Sequence, residues 1–256
     1  MHGDWVCVAG YTDAGDCVRP LLRYGHLDEA WLFVGTSQVV RPFARVEIDL
    51  VRQVPCPPHT EDWEIQPTAP VLRGELDVSG RRAFLKALED PNVESIFGAP
   101  VQHEMGYWVE AGCGTQSLGT VRVKVSQVSY RETDDGKWDY RITFADSSAS
   151  YRLSVTDLAF RSYLDQQRKC RGIDPARAGF EMLRVLSQRE VYFRLGLSRH
   201  WPKFPDRCYL QINGIYSFPD YLDGKCFGDF ATSLGRRPAA PAMNNPSAQD
   251  LDDLPF

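Results

Sequence analysis

No stretch of this 256-residue chain is apolar for long enough to cross a bilayer, which takes about 20 consecutive apolar residues. The opening Met1-His2-Gly3-Asp4-Trp5 lacks the basic and apolar regions of a secretory leader. The expectation is a cytoplasmic protein with no membrane partner. Seven cysteines stand at 7, 17, 56, 113, 170, 208 and 226, an odd number with no C-x-x-C pair. That spacing argues against a zinc ribbon and against a disulfide framework. In a reducing compartment such cysteines are expected to be buried or half-buried. The five histidines are scattered without ligand spacing. The phosphate loop, H-E-x-x-H, G-x-S-x-G and the H-x-E/C-x-x-C deaminase pattern are all missing. Gly112-Cys113-Gly114 leads into a strand rather than a helix, so it is not a phosphate cradle. Asp157, Asp165, Asp174, Asp220 and Asp223 fall at caps and turns, where aspartate serves local hydrogen bonding. No metal, cofactor or catalytic residue is expected, and the chain is not read as an enzyme.

What is present is a series of short strand patterns. Residues 5–10 read as a first strand, 13–16 as a turn and 17–20 as the return. Residues 30–34 are a short apolar run. From 44 to 50, Val46, Ile48 and Leu50 alternate with Arg45, Glu47 and Asp49, the pattern of one half-buried strand. Residues 55–58 break the chain, and 63–65 read as a brief strand. A helix is expected from an N-cap at Ser79 to about Asp90, before Pro91. Residues 107–110 read as a closing strand. This puts a first unit at 1–111.

The second unit, 115–230, is clearer. Strands at 121–126, 137–144 and 151–155 are separated by turns at 134–136 and 145–149. Asp157 or Thr156 caps a helix to about Arg168, and Asp174-Pro175 opens another to about Leu186. Strands follow at 190–198 and 207–212, then an aromatic loop from Gly214 to Asp220. Three meandering strands, a helical insertion and two further strands is the order of an OB-fold barrel. The first unit follows a looser version of that order. The fold class is therefore mainly β with short helices: two tandem OB-fold barrels, with residues 231–256 as a disordered tail.

Strand parity then divides the second barrel. Val121, Val123, Val125, Ile142, Phe144, Leu153, Val155, Phe193, Leu195, Leu197, Leu210 and Ile212 point inward. The opposite parity gives Arg122, Lys124, Arg141, Arg152, Tyr192, Arg194, Tyr209 and Gln211, with no acid among them. Cations that track phosphates and rings that take base faces are what sequence-tolerant single-strand binding needs. In a chain of net charge −5 such a surface has to be local. Trp138 and Tyr140 are assigned to core packing, and Tyr216, Phe218 and Tyr221 to sealing a barrel end. Arg19, Arg23, Arg41 and Arg45 would extend the basic track onto the first unit.

Several segments resemble the bacterial dual OB-containing domain: 7–20, His59-Thr60-Glu61-Asp62-Trp63-Glu64-Ile65, 153–158, 193–199 and, most distinctively, 209–221. The resemblance covers about residues 5–230 and implies adjacent OB-folds associated with nucleic-acid recognition, partly in mobile-element and defence settings. It supplies no catalytic residue.

The tail from 238 to 248 is small, polar and proline-bearing, too poor in apolar side chains to fold. It leads to Asp250-Leu251-Asp252-Asp253-Leu254-Pro255-Phe256. An apolar pocket with a basic rim would take the Phe256 ring and a terminal carboxylate together. This tip resembles that of bacterial single-stranded-DNA-binding proteins (SSBs), with Leu254 where isoleucine is usual. The resemblance implies that Asp250, Asp252, Asp253, Leu254, Pro255 and Phe256 recruit replication or repair enzymes. The combined expectation is a protein that holds single-stranded DNA, or RNA, on an OB-fold face and recruits DNA-processing partners. The alternative is an adaptor or sensor of modified or structured nucleic acid in a mobile-element or anti-phage defence system, with a tip that mimics the SSB one. The oligomeric state is left open.

Overall fold

The structure is a computed structural model that describes residues 4–232 and Leu234. It forms two compact units, one running to Cys56 and resuming over Thr60–Leu76, the other made of Pro57–His59 and the chain from Asp77. Sequence order alone puts the border at 111–115; the structure puts it after Leu76. The difference arises from non-local pairing, because Glu89–Asp90 pairs with Thr120–Val121 and Trp108–Glu110 with Arg207–Tyr209.

Among the described residues the first unit has eight short strands: β1 Gly10–Tyr11, β2 Cys17–Leu21, β3 Phe33–Val34, β4 Ser37–Gln38, β5 Ala44–Glu47, β6 Leu50–Gln53, β7 Asp62–Ile65 and β8 Val71–Glu75. The order β1-β2-β7-β6 has β2 parallel to β7, while β5 pairs with β8 and β3 with β4. Of residues 5–10 only Gly10 is in a strand; Trp5 makes an isolated bridge to Asp28. The apolar run at 30–34 is mostly a 3-10 turn over Glu29–Leu32, capped by the Asp28 side chain accepting from Trp31 N at 3.0 Å. The strand expected over 44–50 is two strands with different partners, and Leu50 is exposed. Val18, Leu27, Leu32, Phe33, Val39, Val40 and Ile65 are buried here.

The second unit opens with α1 Val78–Ala87, β9 Glu89–Asp90, β10 Gln102–His103 and β11 Tyr107–Glu110. The cap of α1 is Asp77, which accepts from Gly80 N at 2.7 Å; Ser79 donates its hydroxyl to the same carboxylate. The barrel proper is β12 Leu118–Glu132, β13 Trp138–Ala145, β14 Ser150–Val155, β15 Glu190–Leu197 and β16 Arg207–Phe218. Strands β12, β13 and β14 meander, β14 runs parallel to β16, β16 pairs back to β15, and β15 pairs to β12. The five strands thus close, with α2 Leu158–Arg171 and α3 Pro175–Leu186 between the third and fourth, and α4 Phe227–Ala231 after the last. This closed order is the OB-fold. A bulge between Val125 and Gln127 lets one long strand serve β15 with its first half and β13 with its second.

Every residue assigned inward by parity is buried. Trp138 and Tyr140 pack on the core as expected. Helix α3 lies so close to β12 that a Cβ at Gly179 would sit 2.7 Å from the Val128 carbonyl oxygen. Strand β16 continues to Phe218, so the stretch expected as a loop from Gly214 is strand. Phe218 and Tyr221 are buried, in keeping with a sealing role. The cysteines depart from expectation: Cys7, Cys56, Cys113 and Cys170 are exposed. They lie in turns, between elements and near the end of α2, where no core is available to cover them.

Asp157 ties helix to barrel. Its Oδ1 accepts from Phe160 N at 3.0 Å and its Oδ2 from Ile215 N at 2.8 Å. Burial pushes its carboxyl up to about 6, against the pull of these backbone N–H groups. The folded state therefore holds this proton more tightly than the unfolded chain, whose ordinary value is 3.8. The stabilisation is complete below that value and is lost as pH rises through about 6. From pH 7 to pH 5 wild-type stability should gain about 1–2 kcal/mol from this group. Urea denaturation of wild type and Asp157→Asn at both pH values checks it: the variant should lack that gain, and an equal gain in both chains would refute the assignment.

Candidate nucleic-acid interface

The outer surface of the second barrel can be mapped from strand register. Adjacent strands lie about 4.8 Å apart, and side chains directly opposite share a face. One row across the sheet is Lys124, Ala145 and Ser150; the next is Gln127, Thr143 and Arg152; the third is Ser129, Arg141, Ser154, Gln211 and Gly196. Lys124, Arg141 and Arg152 thus surround Thr143 on one continuous face, with Gln211 two strands from Arg141. Arg122 lies two residues before Lys124 on the same parity. Tyr209 lies two residues before Gln211 and is half-buried.

Two of the expected residues are not on this exposed face. Tyr192 is buried, donates its hydroxyl to Glu190 Oε1 at 3.0 Å and meets Phe218 edge-on. Burial, reinforced by Glu190, raises its phenol to about 12. Arg194 is also buried and donates to Thr120 Oγ1 at 3.2 Å. A second layer covers this side. Asp90 of β9 accepts from Thr120 N at 3.0 Å, and Arg82 of α1 pairs with Glu190 at 3.0 Å while lying over the Phe218 ring. Desolvation raises the Asp90 carboxyl, opposed by the Thr120 amide and by Arg194.

The remaining cations differ in whether an acid is paired with them. Arg141 is paired with Asp139 at 2.7 Å. Arg122, Lys124 and Arg152 are exposed and form no ion pair among the described residues. In the first unit the arginines do not make a free basic track. Arg19 is buried against Asp62 at 2.6 Å, Arg23 lies 3.9 Å from Glu64, Arg41 pairs with Glu75 at 3.0 Å, and Arg45 with Asp13 at 2.9 Å.

OB-folds bind ligands on the face of their second and third strands and with the loops joining strands 1–2 and 4–5. Here the first of those loops is a tight turn closed by Thr133 N to Lys137 O at 2.7 Å. The second, residues 198–206, carries Trp201, Lys203 and Phe204, and runs into Arg207. Strand β11 places Trp108 directly opposite Tyr209. Trp108, Trp201, Lys203 and Phe204 are not reached by parity on the barrel strands, whereas Arg207, the first residue of β16, shares the parity of Tyr209 and Gln211. The one sequence signal is a gap between two strands, residues 198–206, that holds rings, cations and prolines together. The tip residues Asp250, Asp252, Asp253, Leu254, Pro255 and Phe256 lie outside the described residues.

Among the described residues no group of histidine, cysteine and carboxylate side chains is placed to hold a metal ion, and no helix is long and apolar enough to cross a membrane. Compared with known families, the sequence matches the one described as dual OB-containing domain over residues 1–215. Neither the curated proteins nor the solved structures yield a match. A dual OB domain points to nucleic-acid binding, and OB-folds of this kind are typically binding modules rather than enzymes.

Proposed function

Starting from a chain that belongs to the dual OB-containing domain family, we propose that it is a non-enzymatic single-stranded-DNA-binding protein. The strand lies on the outer face of β12, β13 and β14, and residues 250–256 recruit a replication or repair enzyme. The observation that carries the first part is the trio Arg122, Lys124 and Arg152, exposed and without ion pairs among the described residues on a chain of net charge −5. Cations left unpaired there are available to phosphates, and release of counterions makes such binding salt-dependent. Gln211 and Tyr209 extend the face with a hydrogen-bonding group and a ring. The recruiting role rests on the tip sequence alone: acids, proline and phenylalanine in that order.

Fluorescence anisotropy with labelled oligo-dT at two salt concentrations, on the full chain and on a chain ending at residue 248, tests both parts. Expected is binding by both chains that weakens steeply with salt and strengthens on truncation, as the acids of the tip cease to compete for the basic face. Absence of binding at low salt would overturn the reading in favour of the adaptor. One observation favours that second reading: Arg141, central to the face, is already neutralised by Asp139.

A further inference from the structure

Beside the basic face stands a cluster that the charge pattern does not account for. Trp201 is 53% exposed, a large apolar surface to leave in water on a loop. Its ring lies 5.8 Å from that of Phe204, and Phe204 lies 6.4 Å from Tyr209. The Arg207 guanidinium sits 5.1 Å from the Phe204 ring and 4.6 Å from that of Trp108. Lys203 places its ammonium 5.6 Å from Trp201 and 5.8 Å from Phe204, with no acid paired to it among the described residues. The arrangement is a run of rings with cations between them.

Backbone hydrogen bonds fix the cluster. Phe204 N donates to Trp201 O at 2.7 Å and Arg207 N to Phe204 O at 3.2 Å, two successive turns with Pro202 and Pro205 inside them. Ser198 closes the loop base, donating N–H to Tyr209 O at 2.8 Å and accepting from Tyr209 N at 2.9 Å. Arg207 is held from the other side by Glu104 at 2.9 Å. Glu104 belongs to the β10–β11 connection and Trp108 to β11, neither of them one of the five barrel strands.

We propose that Trp108, Trp201, Phe204 and Tyr209, with Lys203 and Arg207, form a shelf on which unpaired nucleobases stack, and that the β10–β11 hairpin completes it. The inference rests on the nucleic-acid reading above and adds to it the part of the ligand that is recognised: base faces, where the trio on β12 and β14 takes phosphates. Bases in a duplex are already stacked on one another, so a shelf of this kind selects single strands. Stacking on protein rings is tolerant of sequence, because every base has a π-face.

The test compares labelled oligo-dT with a strand of equal length and charge in which every base is missing, on the full chain, Trp201→Ala and Trp201→Phe. The wild-type chain should prefer the strand with bases about tenfold or more. Trp201→Ala should cut that preference about fivefold or more and leave abasic binding unchanged; Trp201→Phe should keep most of the preference. The indole is half in solvent, and matching melting curves would show that the substitution leaves the fold intact. Equal binding of both strands by wild type, or a preference that Trp201→Ala leaves undiminished, overturns the shelf and leaves the basic face standing. Binding of neither strand overturns both.

Discussion

Replacing Asp62 by alanine is expected to destabilise the first unit by about 3–5 kcal/mol. Asp62 stands directly opposite Arg19 in the parallel β2–β7 ladder, and Arg19 Nε donates to its Oδ1 at 2.6 Å. The two side chains are 2% and 8% exposed. The backbone runs through the same place, with Arg19 N donating to Glu61 O at 2.7 Å. Removing the carboxylate leaves a guanidinium under the sheet with its countercharge gone and little access to water. Burying both charges is itself costly, so the pair contributes much less than its disruption costs. A paired substitution, Arg19→Met with Asp62→Leu, should therefore lie much nearer to wild type than Asp62→Ala. Urea denaturation of the three chains measures this. An alanine variant within about 1 kcal/mol of wild type would mean that water reaches the pair and that the ladder does not depend on it.

The second barrel was legible because its strands alternate strictly, and the alternation is long enough to fix parity. Asp157 and Asp174-Pro175 likewise announced two helices at the right residues. The first unit was not, because its strands are two to five residues long. A run of that length cannot establish a period, and the break at Ile48–Asp49 divides what looks like one strand between two partners. Pairing across a hundred residues is equally silent: nothing near Trp108 indicates that its neighbour is Tyr209. The stretch from Gly214 reads as a loop, yet it continues strand β16 past a bulge, since Arg194 pairs with Gly214 and Leu195 with Ile212. A Cβ at Gly214 would meet the Tyr216 hydroxyl at 2.6 Å, so a larger residue there would displace that ring. For the site, parity told which side of the barrel a residue faces but not whether that side is covered. Arg122 and Lys124 point outward into solvent, whereas Tyr192 and Arg194, on the outward parity of β15, lie beneath a layer supplied by α1 and β9.

That distinction makes the largest effect on binding predictable residue by residue. Each phosphate that a cation neutralises on a single strand adds about 0.7 to the slope of log affinity against log salt. Neutralising Arg122, Lys124 and Arg152 together to glutamine should therefore lower that slope by about 2. At about 50 mM salt this corresponds to roughly a few hundredfold weaker binding. Arg141→Gln should cost far less, because Arg141 already has Asp139 at 2.7 Å and releases fewer counterions on meeting a phosphate. Arg194→Gln should act differently again. Its guanidinium is buried between Thr120 and Asp90, so the substitution should lower thermal stability and leave the salt slope in place. Anisotropy titrations over a range of salt, paired with melting curves, separate the three behaviours. A salt slope that follows Arg141 or Arg194 as strongly as the trio would mean that the strand does not run over β12 and β14, and that the basic face belongs to some other partner.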